Sequence, residues 1–95
     1  MPTGRALDYV HYEWQQLKEG VTLSPPPEAH RAYVLAEGGL MRYIVSADGP
    51  QSLSPSVGMP LIPEFPEEFD TDLQYLHFIA AQQDVRLHVY YYRSA

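Results

Sequence analysis

Ser24-Pro-Pro-Pro-Glu28 divides the chain, and the stretch after it decides the fold: Ala29-His-Arg-Ala-Tyr-Val-Leu-Ala36, Glu37-Gly-Gly39, Leu40-Met-Arg-Tyr-Ile-Val-Ser-Ala47. Three successive prolines offer no N–H to a helix or a ladder, so residues 24–28 form an extended connector. Beyond it the side chains alternate with a period of two, the rhythm of half-buried strands. Ala29–Ala36 reads as a strand, Glu37-Gly38-Gly39 as a tight turn and Leu40–Ala47 as a second strand. In that second strand Met41, Tyr43 and Val45 share one face, and Arg42 and Ile44 share the other.

The rhythm continues to the end. Asp48-Gly49-Pro50 and Pro55-Ser-Val-Gly58 read as turns around a short strand at Gln51–Ser54. Met59–Ile62, with Pro60 inside it and Pro63 after it, belongs at an edge or a bend. An acidic loop follows. Leu73–Ala80 and Val85–Tyr92 are then two strong strands joined by Ala81-Gln82-Gln83-Asp84. Upstream of the prolines, Leu7, Val10, Trp14, Leu17 and Val21 recur at helical spacing, with Thr3 or Asp8 to cap the start and Gly20 to end it. Val10, Tyr12 and Trp14 also alternate as in a strand, so residues 9–18 stay open between the two, with the helix preferred for its longer stripe. The expectation is one domain over residues 1–95. It is mainly β with one N-terminal helix (residues 4–20), the 24–28 connector and a small antiparallel barrel or sandwich over residues 29–93.

Composition narrows the chemistry. The 95 residues include six bases and twelve acids, for a net charge of −6, with nine prolines, eight tyrosines and no cysteine. Without cysteine there is no disulfide, thiolate catalysis or Cys-ligated metal. Lys18 and five scattered arginines make no basic patch for phosphate, which argues against nucleic acid. The opening Met1–Val10 lacks the apolar core of a signal peptide, and no apolar run approaches the ~18 residues of a membrane span. A cytoplasmic protein that binds no membrane is expected.

From residue 30 onward, Val34-Leu-Ala-Glu-Gly-Gly-Leu40 with Tyr43, Leu53-Ser-Pro55, Gly58, Ile62-Pro63-Glu64 and the terminal Tyr91-Tyr92-Arg93 together resemble small single-domain cupins. More narrowly they resemble the cupin-like family related to the N-terminal region of tellurite-resistance methyltransferases. The resemblance covers about two thirds of the chain and implies a β barrel. Metal-binding cupins carry His-x-His with a Glu on one strand, and a further His after the Ile-Pro turn. This chain has no His-x-His, and after Ile62-Pro63 it reads Glu64-Phe-Pro-Glu67-Glu68-Phe69. The resemblance thus implies a degenerate metal motif.

Four sets of residues are candidate sites. His30, His77 and His88 with Glu37 would suit a divalent transition metal if neighbouring strands brought them together. Arg86, His88, Tyr90, Tyr92 and Arg93, extended by Tyr75 and His77, form a Tyr- and Arg-rich strip of the kind found at interfaces, here that of a homodimer. Glu64, Glu67, Glu68, Asp70 and Asp72 form an acidic loop fit to dock a basic protein partner. Glu37 inside a barrel beside Arg42 is the one acid–base pairing left open. No serine lies in a Gly-x-Ser-x-Gly elbow or a Ser-x-x-Lys box, so no catalytic residue is assigned. Three functions follow. The first is a non-catalytic binding or protein-interaction module without a cofactor. The alternatives are a metal-dependent cupin-type enzyme or sensor, and an acidic inhibitor or adaptor.

Overall fold

The computed structural model describes residues 6–14, 20–70 and 72–93. Its strands are β1 (Ala6–Trp14), β2 (Val21–Thr22), β3 (Arg31–Glu37), β4 (Met41–Val45), β5 (Met59–Leu61), β6 (Glu67–Phe69), β7 (Leu76–Ala80) and β8 (Val85–Tyr92). Among the described residues the one helical turn is a 3-10 turn at Leu73–Tyr75. The strands form two antiparallel four-stranded sheets, ordered β1-β8-β3-β6 and β2-β7-β4-β5. Each position in the first sheet is matched in the second by the strand next to it in sequence. This pairing of positions is the strand order of a jelly roll, so the chain is a two-sheet sandwich and not a closed barrel.

The N-terminal helix expected over residues 4–20 is corrected. Ala6–Trp14 is a strand, paired with β8 from Ala6↔Tyr92 to Trp14↔Val85. Leu17 and Thr3, the stripe's continuation and one proposed cap, lie outside the described residues. Val10 and Trp14 are four apart, which keeps them on one face in a helix and in a strand alike. Pairing with β8 adds a ladder of hydrogen bonds and lays Val10, Tyr12 and Trp14 against Val89, Leu87 and Val85. A register shift between Ala6 and Asp8 accommodates Leu7, which also packs on the core.

The two sheets are joined by corners. β3 passes into β4 through Gly38-Gly39-Leu40, and β7 into β8 through Ala81–Asp84, so both strong strand pairs change sheet. Ala36 and Met41 are both fully buried although five residues apart, as are Ala80 and Val85. An odd spacing reverses the side-chain parity of a strand, and the corner absorbs the reversal. Gly38 has φ 94°, and a Cβ there would lie 2.7 Å from the Asp84 carbonyl oxygen, so the corner requires glycine. Ala81 N–H donates to the Leu40 carbonyl (2.9 Å) and Leu40 N–H to Gln82 Oε1 (2.6 Å), which pins the two corners together.

Between the sheets lie Ala32, Val34, Met41, Leu61, Leu76, Phe78, Leu87, Val89 and Tyr91, all nearly or completely buried. Each large side chain among them contributes about 1.5–3 kcal/mol of burial. Gln51–Ser54, expected as a short strand, is instead a turn with one isolated bridge, Ser54↔Val57.

Candidate functional site

The outer faces of the two sheets differ. On the second sheet, outward-facing His77 and Ile79 are buried, and Arg42 turns outward to donate to the carbonyls of Pro55 and Gly58 (3.0 Å each). His77 Nε2 donates to the Ser46 carbonyl at 2.9 Å, and Nδ1 accepts the Thr22 hydroxyl at 2.7 Å. That assignment follows from the carbonyl, which only accepts. The segment after β4 is thereby bonded onto this face, and His77 braces it to β2.

The outer face of the first sheet is open and aromatic. Pairing across β1, β8 and β3 aligns three rows: Tyr9–Tyr90–Tyr33, His11–His88–Leu35 and Glu13–Arg86–Glu37. Tyr9 and Tyr90 are each 42% exposed, with ring centroids 4.8 Å apart. Tyr9, Tyr33, Leu35, His88 and Tyr90 line a groove of about 320 Å³. The solvent face of an antiparallel sheet ordinarily carries polar side chains, so a groove walled by three tyrosines and a leucine makes this face the candidate site.

A hydrogen-bonded chain runs along the groove. Arg86 Nε lies 3.1 Å from Glu37 Oε1, His88 Nε2 donates to the same oxygen at 2.8 Å, and the Tyr9 hydroxyl donates to His88 Nδ1 at 2.6 Å. The tautomer follows from the carboxylate. The hydrogen bond from His88, and then the charge of Arg86, hold the Glu37 carboxyl below the ordinary carboxylate range. An ionised carboxylate only accepts, so Nε2 carries a proton, and in the singly protonated ring Nδ1 is the acceptor that faces the Tyr9 hydroxyl. At the other end of the face Arg31 pairs with Glu68 at 3.4 Å and lies over the Tyr92 ring, 5.9 Å from its centroid.

The expected site residues fare differently. His88 and Glu37 are brought together. His77 is in the other sheet and faces outward on the opposite side of the core, so the two histidines do not share a hairpin face. His30 is exposed just before β3, with its N–H bonded to the Tyr92 carbonyl at 2.9 Å. Among the described residues no three His, Asp or Glu side chains are grouped to hold a metal ion. The interior, where a cupin would hold its metal, is filled by apolar side chains. Glu37 faces Arg86 and His88 outside the core rather than Arg42 within it.

Arg86, His88, Tyr90 and Tyr92 share the outer face of β8 as the alternation predicts, and Arg93 follows them, exposed. Tyr75 and His77 do not extend this strip, because β7 belongs to the second sheet. In the acidic loop Glu67 and Glu68 form β6 with Phe69, paired to β3, while Glu64, Asp70 and Asp72 are exposed around it. Beside them Phe65 is 67% exposed. Tyr9, His11, Tyr33 and Leu35 were not foreseen as site residues. Tyr33 and Leu35 hold the outward positions of a legible strand, whereas Tyr9 and His11 were hidden by the helical reading of β1.

No family model, curated protein or solved structure matches the chain. Among the described residues no helix is long and apolar enough to cross a membrane.

Proposed function

We propose that the chain is a non-catalytic binding module of cupin-like ancestry, cytoplasmic and without a resident metal, whose working surface is the outer face of the first sheet. The observation that carries this reading is the row Tyr9–Tyr90–Tyr33, aligned by register across three strands and left open over a groove. Such a groove takes a planar apolar group against the tyrosine rings, with His88 and Tyr9 as polar partners at one end. The jelly-roll strand order supports the ancestry. The test is titration with N-phenylnaphthylamine, a neutral fluorescent probe that the net charge of −6 does not repel. Saturable binding that Tyr90→Ala weakens supports the reading, and binding unaffected by both Tyr9→Ala and Tyr90→Ala contradicts it.

A homodimer through the same face is the second reading. Two arginines on it, Arg31 and Arg86, stand beside the carboxylates of Glu68 and Glu37 and offset part of the negative charge that two copies of an acidic chain would bring together there. Sedimentation at micromolar concentration, with and without the probe, separates the two readings: a dimer that the probe dissociates joins them on one surface. A basic protein partner at Glu64–Asp72 remains the proposal for the acidic loop, where exposed Phe65 would supply the apolar anchor.

A further inference from the structure

Tyr9 and Tyr90 lie side by side with the same exposure, yet of the two only Tyr9 has an imidazole nitrogen at 2.6 Å. From this geometry we propose that the Tyr9 hydroxyl is a nucleophile toward activated acyl groups, such as those of aryl esters, with His88 as its base. A phenol is a weak nucleophile until its proton has somewhere to go. His88 Nδ1 is that acceptor, because Glu37 fixes the proton of the ring on Nε2. The arrangement is a carboxylate, an imidazole and a hydroxyl in series, each within hydrogen-bond reach of the next.

The step balances without another reactant. The Tyr9 oxygen bonds to the acyl carbon while its proton passes to Nδ1. The bond from the acyl carbon to the aryl oxygen breaks, and the departing aryloxide takes the proton back from the imidazolium. The products are an O-acyl tyrosine and a phenol. The groove between Tyr33, Leu35 and Tyr90 seats the aryl group, and for that seat alone the proposal rests on the binding reading above. The groups facing His88 are Tyr9 and His11 on β1, Glu37 and Leu35 on β3, and Arg86 and Tyr90 on β8. The His11 ring centroid is 6.4 Å from that of His88.

The test is acetylation of the whole protein, by N-acetylimidazole in one arm and p-nitrophenyl acetate in the other, with each tyrosine followed by peptide mass spectrometry. Tyr9 is expected to react about 100-fold faster than Tyr90, the lower end of the gain from a positioned base. His88→Gln, whose amide accepts a hydrogen bond but is too weak a base to take up the phenol's proton, brings Tyr9 to the rate of Tyr90, while the unchanged rates of Tyr75 and Tyr90 report an intact fold. Glu37 is a positioning residue. Glu37→Gln, whose amide can meet Nε2 with either its oxygen or its NH2 and so no longer fixes the ring proton there, slows acylation at Tyr9 and leaves the rate at Tyr90 in place. The imidazole ring of N-acetylimidazole is smaller and more polar than a nitrophenyl ring and gains less from an apolar seat, so preference for Tyr9 in that arm alone upholds the nucleophile and counts against the groove. Equal rates for Tyr9 and Tyr90 in both arms overturn the proposal.

Discussion

His88 Nε2 and Glu37 Oε1 stand 2.8 Å apart across two neighbouring strands, on the face of the first sheet turned away from the core. The contact ties β8 to β3 beyond their backbone ladder, and it depends on Glu37 being ionised. The Glu37 carboxyl is held below its ordinary value of 4.5, chiefly by the hydrogen bond from His88 and then by Arg86. A depressed value means that the folded state holds its proton less tightly than the unfolded state. The contribution is therefore present above that ordinary value and is lost as pH falls through the lower folded value. Urea unfolding midpoints should show wild type more stable than Glu37→Gln at neutral pH, with the gap closing in acid.

Tyr91 sets the opposite limb. Its buried hydroxyl is pushed well above the ordinary 10.0 by desolvation and then by the neighbouring Tyr12. Tyr12 and Tyr43 are raised as well, mainly by burial. A raised value means stability that is complete below 10.0 and falls as pH rises from there toward the folded value. Alkaline unfolding monitored by circular dichroism should begin above pH 10.0 and be less steep in Tyr91→Phe.

Thr22→Val tests the brace on the second sheet. It keeps the side chain's shape and removes the hydroxyl that His77 Nδ1 accepts, inside a residue only 4% exposed. Leaving that nitrogen unpaired should cost about 1–3 kcal/mol. Chemical denaturation checks the value. Full stability in the variant would mean that His77 does not hold β2 to the sheet.

Trp14→Ala should cost about 3–5 kcal/mol, the range for deleting a large buried aromatic. Trp14 is 6% exposed and packs in register with Val85 at the end of β1. An unfolding midpoint unchanged by the substitution would mean that β1 does not seal that end of the core.

Where the chain alternates without ambiguity, the strands were legible: β3, β4 and β8 lie where the period of two places them, and the two faces of β8 sort as expected, whereas β7 begins only at Leu76 because Leu73–Tyr75, expected as its start, is a 3-10 turn. β1 was not legible, because Val10 and Trp14 satisfy a helix and a strand equally and the register shift near Leu7 adds a helical spacing to a strand. The site suffered for a different reason. Ala81-Gln82-Gln83-Asp84 looks like a hairpin loop, and a hairpin would have put His77 beside His88. It is a corner between sheets, and nothing local in the four residues distinguishes the two. Glu37 was singled out for its chemistry, but its true partners came from register: β3 pairs with β8, far along the chain, and only that pairing sets Glu37 against Arg86.

The central claim is that the open aromatic face of the first sheet is where this protein binds. Amide chemical-shift mapping during titration with N-phenylnaphthylamine tests it most directly. The account predicts that shifts concentrate at Tyr9, Tyr33, Leu35, His88 and Tyr90, while Phe78 and Leu61 between the sheets stay in place. Shifts clustered instead at Met59, Ile62 and Phe65, or spread through the core, would contradict it.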